Sequence, residues 1–251
     1  MINVKFDGKK EAERLASFLE ESERCLGKSL VIFQCDGRTE MSQYVRLKTE
    51  MGERLGVMVH VVFAHDVDDL KTMLMETNED ETVDGILIQL PIFDLDKLET
   101  GKVLEKIKLN KDADGLNPKS KFLPAAVRAV ERVIDIFKIE EDQKIALVGA
   151  KGMVGKRVGE RLNILGLPFE GFDVGNDLNK LKDFEVVISA VGKGELITEE
   201  MVKDGFIGID LGYPKGDFSS ESVAKASLIT PVPGGVGPLT VVELYENLAE
   251  D

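Results

Sequence analysis

A chain of 251 residues, 43% hydrophobic and 31% charged, with 8 Pro and no low-complexity run, can build one large or two modest cored domains, which excludes a disordered or fibrous protein. A formal net charge of −14 without a Lys/Arg cluster argues against binding to bulk nucleic acid or anionic membrane. No run approaches the ~20 apolar residues of a membrane span, and the charged start MINVKFDGKKEAERL lacks the apolar stretch of a signal peptide.

Two cysteines, Cys25 and Cys35, fit no common zinc or redox spacing, so a reduced, cytoplasmic setting without a metal is expected. In chain order, apolar runs rich in β-formers occur at Leu30 to Phe33, from Val57 (VMVHVVF), from Gly85 (GILIQL), from Lys144 (KIALVG), at LPFEGF, from Glu185 (EVVISAVG) and from Phe206 (FIGIDLG). Helical patterns alternate with them, as in βαβ units. Apart from LPFEGF, the runs are continuously apolar rather than alternating, which predicts strands buried on both faces of parallel, helix-covered sheets.

Between Asp94 and Lys121 a helix gives way to the turn-rich LNKDADGLNPKSK, and a new helical pattern, LPAAVRAVERVIDIF, opens at Leu123. That breaker marks the expected domain junction. A second one, TPVPGGVGP (Thr230 to Pro238), with room for a cis X-Pro bond, precedes a short final helix, VVELYENLAE, free to rejoin the first domain. The expected division is 1–121 plus 236–251 for one α/β domain and 122–235 for the other.

The strongest local motif is the strand KIALV, then Gly149-Ala150-Lys151-Gly152-Met153-Val154-Gly155, then the helical KRVGERLNIL. Glycines so placed permit a tight turn and bring backbone N–H groups and a helix N-terminus against a pyrophosphate, although the spacing is G-x-x-G-x-x-G rather than the common fingerprint. Asp173 follows the next strand, 18 residues after Gly155, where an acid accepts hydrogen bonds from ribose hydroxyls and disfavours a 2′-phosphate. Tyr44 and Lys48, four apart in MSQYVRLKTEM, share a helix face. Gln89-Leu90-Pro91 closes the strand GILIQL, at the carboxyl-end position where α/β sheets bind ligands, and Asp112 and Asp114 lie in the interdomain turn. Each admits a bland reading by itself: a Gly-rich turn, a solvated loop acid, a surface lysine, a loop-capping amide, an Asx-turn.

Taken in order, SQYVRLK, ILIQLPI, KDADGLNP, the glycine loop, VVISAVGK, IDLG and TPVPGGVGPLT resemble the methylenetetrahydrofolate dehydrogenase/cyclohydrolase family over nearly the whole chain. The resemblance implies two α/β domains, the second of Rossmann type, with a cleft between them. It implies oxidation of 5,10-methylenetetrahydrofolate by hydride transfer to NAD or NADP, hydrolysis of the methenyl product to 10-formyltetrahydrofolate, and a homodimer. Catalytic residues by resemblance are Lys48, at the one-carbon centre, with Tyr44, Gln89 and Asp114. Tyr44, Gln89, Leu90, Pro91, Asp114, Pro233, Gly234, Gly235 and Pro238 would hold the folate, Asp114 and Gln89 gripping the pterin. The loop Gly149 to Gly155, Asp173, and Ala190, Val191 and Gly192 would hold the dinucleotide.

Four departures stand out. Ala150-Lys151 replaces the family's Arg-Ser, Asp173-Val174-Gly175 replaces its His-Ser, Pro124-Ala125-Ala126-Val127 replaces Pro-Cys-Thr-Pro, and Ser42 stands one residue nearer Tyr44 than usual. The first two remove groups associated with the NADP phosphate, so NAD is favoured. Two alternatives stay open at this point: a shikimate- or amino-acid-type dehydrogenase, and a catalytically degenerate folate- or nucleotide-binding regulator.

Overall fold

The computed structural model describes residues 4–250, which divide into two compact units, one of residues 13–125 and 241–250, the other of residues 4–12 and 126–240. The chain passes between the two units at 12/13, 125/126 and 240/241, each within a helix, beside the 121/122 and 235/236 divisions read from the sequence. The N-terminal strand β1 (Val4–Lys5) belongs to the second unit because it pairs in parallel with β9 (Leu228–Ile229).

The first unit is built on a three-stranded parallel sheet, order β3-β2-β4, formed by β2 (Ser29–Gln34), β3 (Met58–Phe63) and β4 (Gly85–Gln89). β2 lies at the centre and is buried along its whole length, as continuous apolarity predicts. Leu30, Ile32 and Phe33 are fully buried, each burial contributing roughly 1.5–3 kcal/mol. β3 departs from the expectation: it is an edge strand, and Met58 is exposed. The helices α1 (Gly8–Ser22), α2 (Gln43–Arg54), α3 (Val67–Glu79) and α4 (Lys97–Leu104) follow in sequence, and Arg54 ties α2 to α1 through Glu13 (2.7 Å) and Glu20 (3.1 Å).

The second unit is a six-stranded parallel sheet, order β1-β9-β8-β7-β5-β6, with β5 (Ile145–Val148), β6 (Phe169–Phe172), β7 (Val186–Ser189) and β8 (Ile207–Asp210). The chain steps from β5 to β6 on one side and then to β7 on the other. This reversal makes the carboxyl end of β5 a topological switch point, where open α/β sheets bind ligands. β6 is the edge, and only Phe172 of its four residues is buried. Phe172 and Phe184 meet edge to face (5.5 Å) and Phe206 stacks on Phe218 (5.7 Å) in the core over one face. Helices α5 (Ala125–Phe137) and α6 (Met153–Ile164) are joined by a bidentate Arg161–Glu131 pair, and α7 (Ser220–Lys225) precedes β9.

The last helix, α8 (Val236–Ala249), starts earlier than VVELYENLAE predicts and takes in Gly237 and Pro238. Proline is tolerated there because first-turn N–H groups have no intrahelical acceptor. The Val232–Pro233 bond ahead of it is cis, as the breaker-rich run allowed, and so are Leu90–Pro91 and Tyr213–Pro214. Cys25 and Cys35 are both free and buried, and burial pushes the Cys35 thiol up to about 12, so neither is poised to react. Among the described residues no helix is long and apolar enough to cross a membrane.

Candidate active site

α2 begins where Ser42 caps it, its hydroxyl accepting from the Val45 N–H at 3.3 Å. The loop leading to that cap is fixed by Gln34, the last residue of β2 and almost fully buried, whose Oε1 accepts from the Ser42 N–H (2.8 Å) while its amide donates to the Glu40 carbonyl (2.9 Å). Helical spacing then sets Tyr44 and Lys48 on one face, with the Lys48 Nζ 5.7 Å from the Tyr44 ring centre. The Tyr245 hydroxyl, on α8, donates to the Lys48 carbonyl. Gly52 sits one turn on, and a Cβ there would collide with Val59 and the Tyr245 hydroxyl, so glycine is what lets α2 approach β3 and α8.

Asp114 reaches the same place from a segment alongside β4. Residues 111–113 run beside β4 as a further parallel segment: the Ile86 N–H donates to the Lys111 carbonyl (2.6 Å) and the Ala113 N–H to the Ile86 carbonyl (3.2 Å). The turn after it is held from inside by the fully buried Asp112, whose carboxylate accepts from the Asn117 (2.9 Å) and Leu116 (3.3 Å) N–H groups. Asn247 of α8 clamps it from outside, donating to the Ala113 (3.0 Å) and Leu123 (2.9 Å) carbonyls. Pro124-Ala125 packs on this turn as well: the Ala125 N–H donates to the Asp114 carbonyl (3.2 Å), and a Cβ added to Gly115, at φ +65°, would come within 2.8 Å of the Leu123 carbonyl and the Pro124 nitrogen.

The result is a compact polar group. Lys48, 3% exposed, donates to Gln89 Oε1 at 3.0 Å and lies 3.9 Å from the Asp114 carboxylate, while Gln89 donates to the Leu90 carbonyl at 3.0 Å. Burial pulls the Lys48 ammonium below its ordinary range, with the Asp114 charge opposing the shift. Burial likewise raises Asp114, opposed by Lys48 and reinforced by Asp112. Dehydration thus disfavours both charges and outweighs their attraction, which leaves a lysine that yields its proton more readily than one in water. Leu90 is half-buried and Pro91 exposed beside it.

In the other unit the loop Gly149 to Gly155 leaves β5 as the motif predicts. The Gly149 N–H donates to the Phe172 carbonyl (2.7 Å), the Gly152 N–H turns back to the Gly149 carbonyl (2.8 Å), and Gly152 is the N-cap of α6 without a side chain to spend on the helix amides. A Cβ on Gly155 would strike the Gly149 carbonyl. The backbone is therefore open to a close-approaching anion, the arrangement a pyrophosphate needs. Asp173 ends β6 with its Oδ1 accepting from the Lys151 N–H (2.9 Å), so it also fixes the loop, a role its position in the sequence did not reveal. Ala190, Val191 and Gly192 follow β7 at the other side of the switch point: the Ala190 carbonyl would lie 2.8 Å, and the Val191 methyl 3.2 Å, from a Cβ on Gly149. Pro233, Gly234, Gly235 and Pro238 lie in this unit too, and the Gly234 and Gly235 carbonyls close on Gly8 so tightly that no side chain fits there.

The matching family models are the tetrahydrofolate dehydrogenase/cyclohydrolase catalytic domain, over residues 6–114, and the NAD(P)-binding domain of the same family, over residues 124–251. The chain belongs to the tetrahydrofolate dehydrogenase/cyclohydrolase family. The bifunctional protein FolD of Mycoplasmopsis synoviae is 35% identical, with 88% of each chain covered. Among solved structures, the FolD methylenetetrahydrofolate dehydrogenase/cyclohydrolase of Campylobacter jejuni is 28% identical with a TM-score of 0.85, covering 97% of this chain and 96% of its own. The Trypanosoma brucei dehydrogenase-cyclohydrolase, solved with NADP and an inhibitor, is 27% identical with a TM-score of 0.85, covering 98% of this chain and 95% of its own.

As a dehydrogenase/cyclohydrolase, the chain oxidises 5,10-methylenetetrahydrofolate with a nicotinamide dinucleotide and hydrolyses the methenyl product. Neither alternative gains support: a shikimate dehydrogenase, at 13% identity, shares the fold alone. Sequence reasoning missed Gln34, Tyr245 and Asn247, which themselves lie outside the recognised motifs although they bind residues within them.

Proposed function

We propose that Lys48 moves the protons of methenyl hydrolysis, with Gln89 and Asp114 holding its amine. The observation that carries this is the buried Lys48 ammonium, bonded to Gln89 Oε1 at 3.0 Å and weakened as a cation by burial. A lysine in this state takes one proton from the water that adds to the methenyl carbon and returns it to the ring nitrogen as the C–N bond breaks, while the remaining hydroxyl proton is released to solvent as the formyl C=O forms. Gln89 and Asp114 also supply acceptors for the amino-pyrimidinone edge of a pterin, and Tyr44 supplies an aromatic wall. Leu90 and Pro91 complete that side; Pro233, Gly234, Gly235 and Pro238 are assigned to the folate by resemblance.

The dinucleotide is assigned to Gly149 to Gly155, Asp173 and Ala190 to Gly192. Its glycine cradle fits a pyrophosphate, and when bound the nicotinamide accepts a hydride from the methylene carbon. The protein's part in that step is orientation and exclusion of water. NAD is favoured over NADP, because the Asp173 carboxylate accepts ribose hydroxyls and repels a 2′-phosphate, and Ala150 carries no charge to offset it. A homodimer is proposed from the family resemblance.

Lys48→Met tests the central role. Methenyl hydrolysis should fall by roughly 10²- to 10⁴-fold, followed as decay of methenyl absorbance, while NAD-dependent methenyl formation is assayed in parallel. Hydrolysis at the parental rate removes Lys48 from the reaction.

A further inference from the structure

Beyond the glycine loop, a second carboxylate shapes the nucleotide unit. Asp217 lies in the segment between β8 and α7 and is fully buried. Its Oδ2 accepts from the Ser189 hydroxyl (2.6 Å), the Val191 N–H (3.0 Å) and the Gly192 N–H (3.2 Å), and its Oδ1 accepts from the Lys193 N–H (2.8 Å). Asp217 is itself held, because its N–H donates to Asp210 Oδ1 (3.1 Å), and the Asp210 carboxylate also accepts from Gly212 (2.8 Å) and Phe218 (3.3 Å). Its carbonyl accepts from the Ile197 N–H at 2.9 Å. Two buried acids, Asp210 at the end of β8 and Asp217 in the segment after it, therefore act in series on one loop.

Three consecutive backbone N–H groups converging on one point form a concavity that binds anions. Here the anion is the protein's own. We propose that Asp217 is the positioning residue of the dinucleotide site: by filling the nest of Val191, Gly192 and Lys193 it denies that nest to the pyrophosphate and sets the loop against Gly149, leaving the Ala190 carbonyl and Val191 side chain for a ribose and an apolar ring face. This rests on the reading of Ala190 to Gly192 as part of that site. Loss of the charge would leave four donors, the Ser189 hydroxyl and three N–H groups, in competition for one neutral oxygen, and the loop would shift from its contact with the glycine turn.

The test is Asp217→Asn in the full chain, read by NADH affinity, by amide hydrogen exchange and by methenyl hydrolysis, which consumes no dinucleotide. Expected are about tenfold weaker NADH binding, from loss of charge-assisted bonds, and faster exchange confined to residues 191–193, with hydrolysis persisting. Faster exchange there with unchanged NADH affinity overturns the assignment of the loop to the dinucleotide, and the proposal with it. Unchanged exchange at 191–193, or acceleration spread evenly over β5, β7 and β8, overturns the positioning role while leaving the loop assignment intact. If Asp217→Asn fails to fold, Ser189→Ala, which removes a single donor to Oδ2, decides the matter: NADH binding weaker by roughly twofold or more supports the proposal, and parental affinity overturns it.

Discussion

At Lys48 the sign of the electrostatics can be worked through residue by residue. Burial lowers its pKa, so the neutral amine appears at a lower pH than for a lysine in water, and hydrolysis rises with pH through a midpoint below 10.5. Asp114 opposes that shift by favouring the ammonium. Asp114→Asn removes the opposing charge, so the rising limb of the hydrolysis rate against pH should move to lower pH, alongside a higher folate KM. A limb displaced to higher pH would show that Asp114 does not act on Lys48 electrostatically. Asp173 carries the second prediction at this scale. Asp173→Ser removes the charge that disfavours a 2′-phosphate, so the ratio of NADP to NAD efficiency (kcat/KM) should rise about tenfold or more, equivalent to ~1.4 kcal/mol. Some loss with both dinucleotides is expected too, because Asp173 holds the Lys151 N–H.

Among the elements, α2 shows how much the position of one side chain depends on distant packing. Tyr245→Phe removes the hydroxyl that binds the Lys48 carbonyl and should cost about 1 kcal/mol in denaturant unfolding, with methenyl hydrolysis falling more than dinucleotide affinity. Gly52→Ala should cost roughly 1–3 kcal/mol, because the added methyl meets Val59 and Tyr245; unfolding midpoints equal to the parent would mean that α2 has slack the packing does not show. The central strands β2, β4, β5 and β7 were readable because each is a short, continuous apolar run bounded by breakers, whereas the edge strands β3 and β6 carry polar residues and are largely unburied. β1 and β9 were not, because two residues each carry no period and are defined by pairing with each other. The fold of α8 back to Val236 was hidden by its proline and glycines, which read as a loop until first-turn geometry admits them. Lys48, Gln89 and Asp114 were named from motifs, whereas Tyr245 and Asn247 act through partners set by the fold: Tyr245 lies 197 residues from the carbonyl it binds, and Gln34 acts locally on Glu40 and Ser42 from outside any motif. Asp217 carried no signal because its donors belong to a loop more than twenty residues upstream.

For the whole molecule, the acidic surface and the open edge at β6 bear on association. A net charge of −14 repels like copies at low ionic strength, so the proposed homodimer should be measured by sedimentation in physiological salt, where a species of twice 27.6 kDa is expected and a species of 27.6 kDa at micromolar concentration would refute it. The division of the chain has another consequence. The unit that bears Lys48 is discontinuous: residues 13–125 are completed by residues 241–250, which bring Tyr245 to the Lys48 carbonyl and Asn247 to the turn of Asp114. A ribosome therefore makes all of the nucleotide-binding sheet before it releases the last strap of the half translated first. The earlier-born half matures later, and no single crossover between genes can exchange it intact.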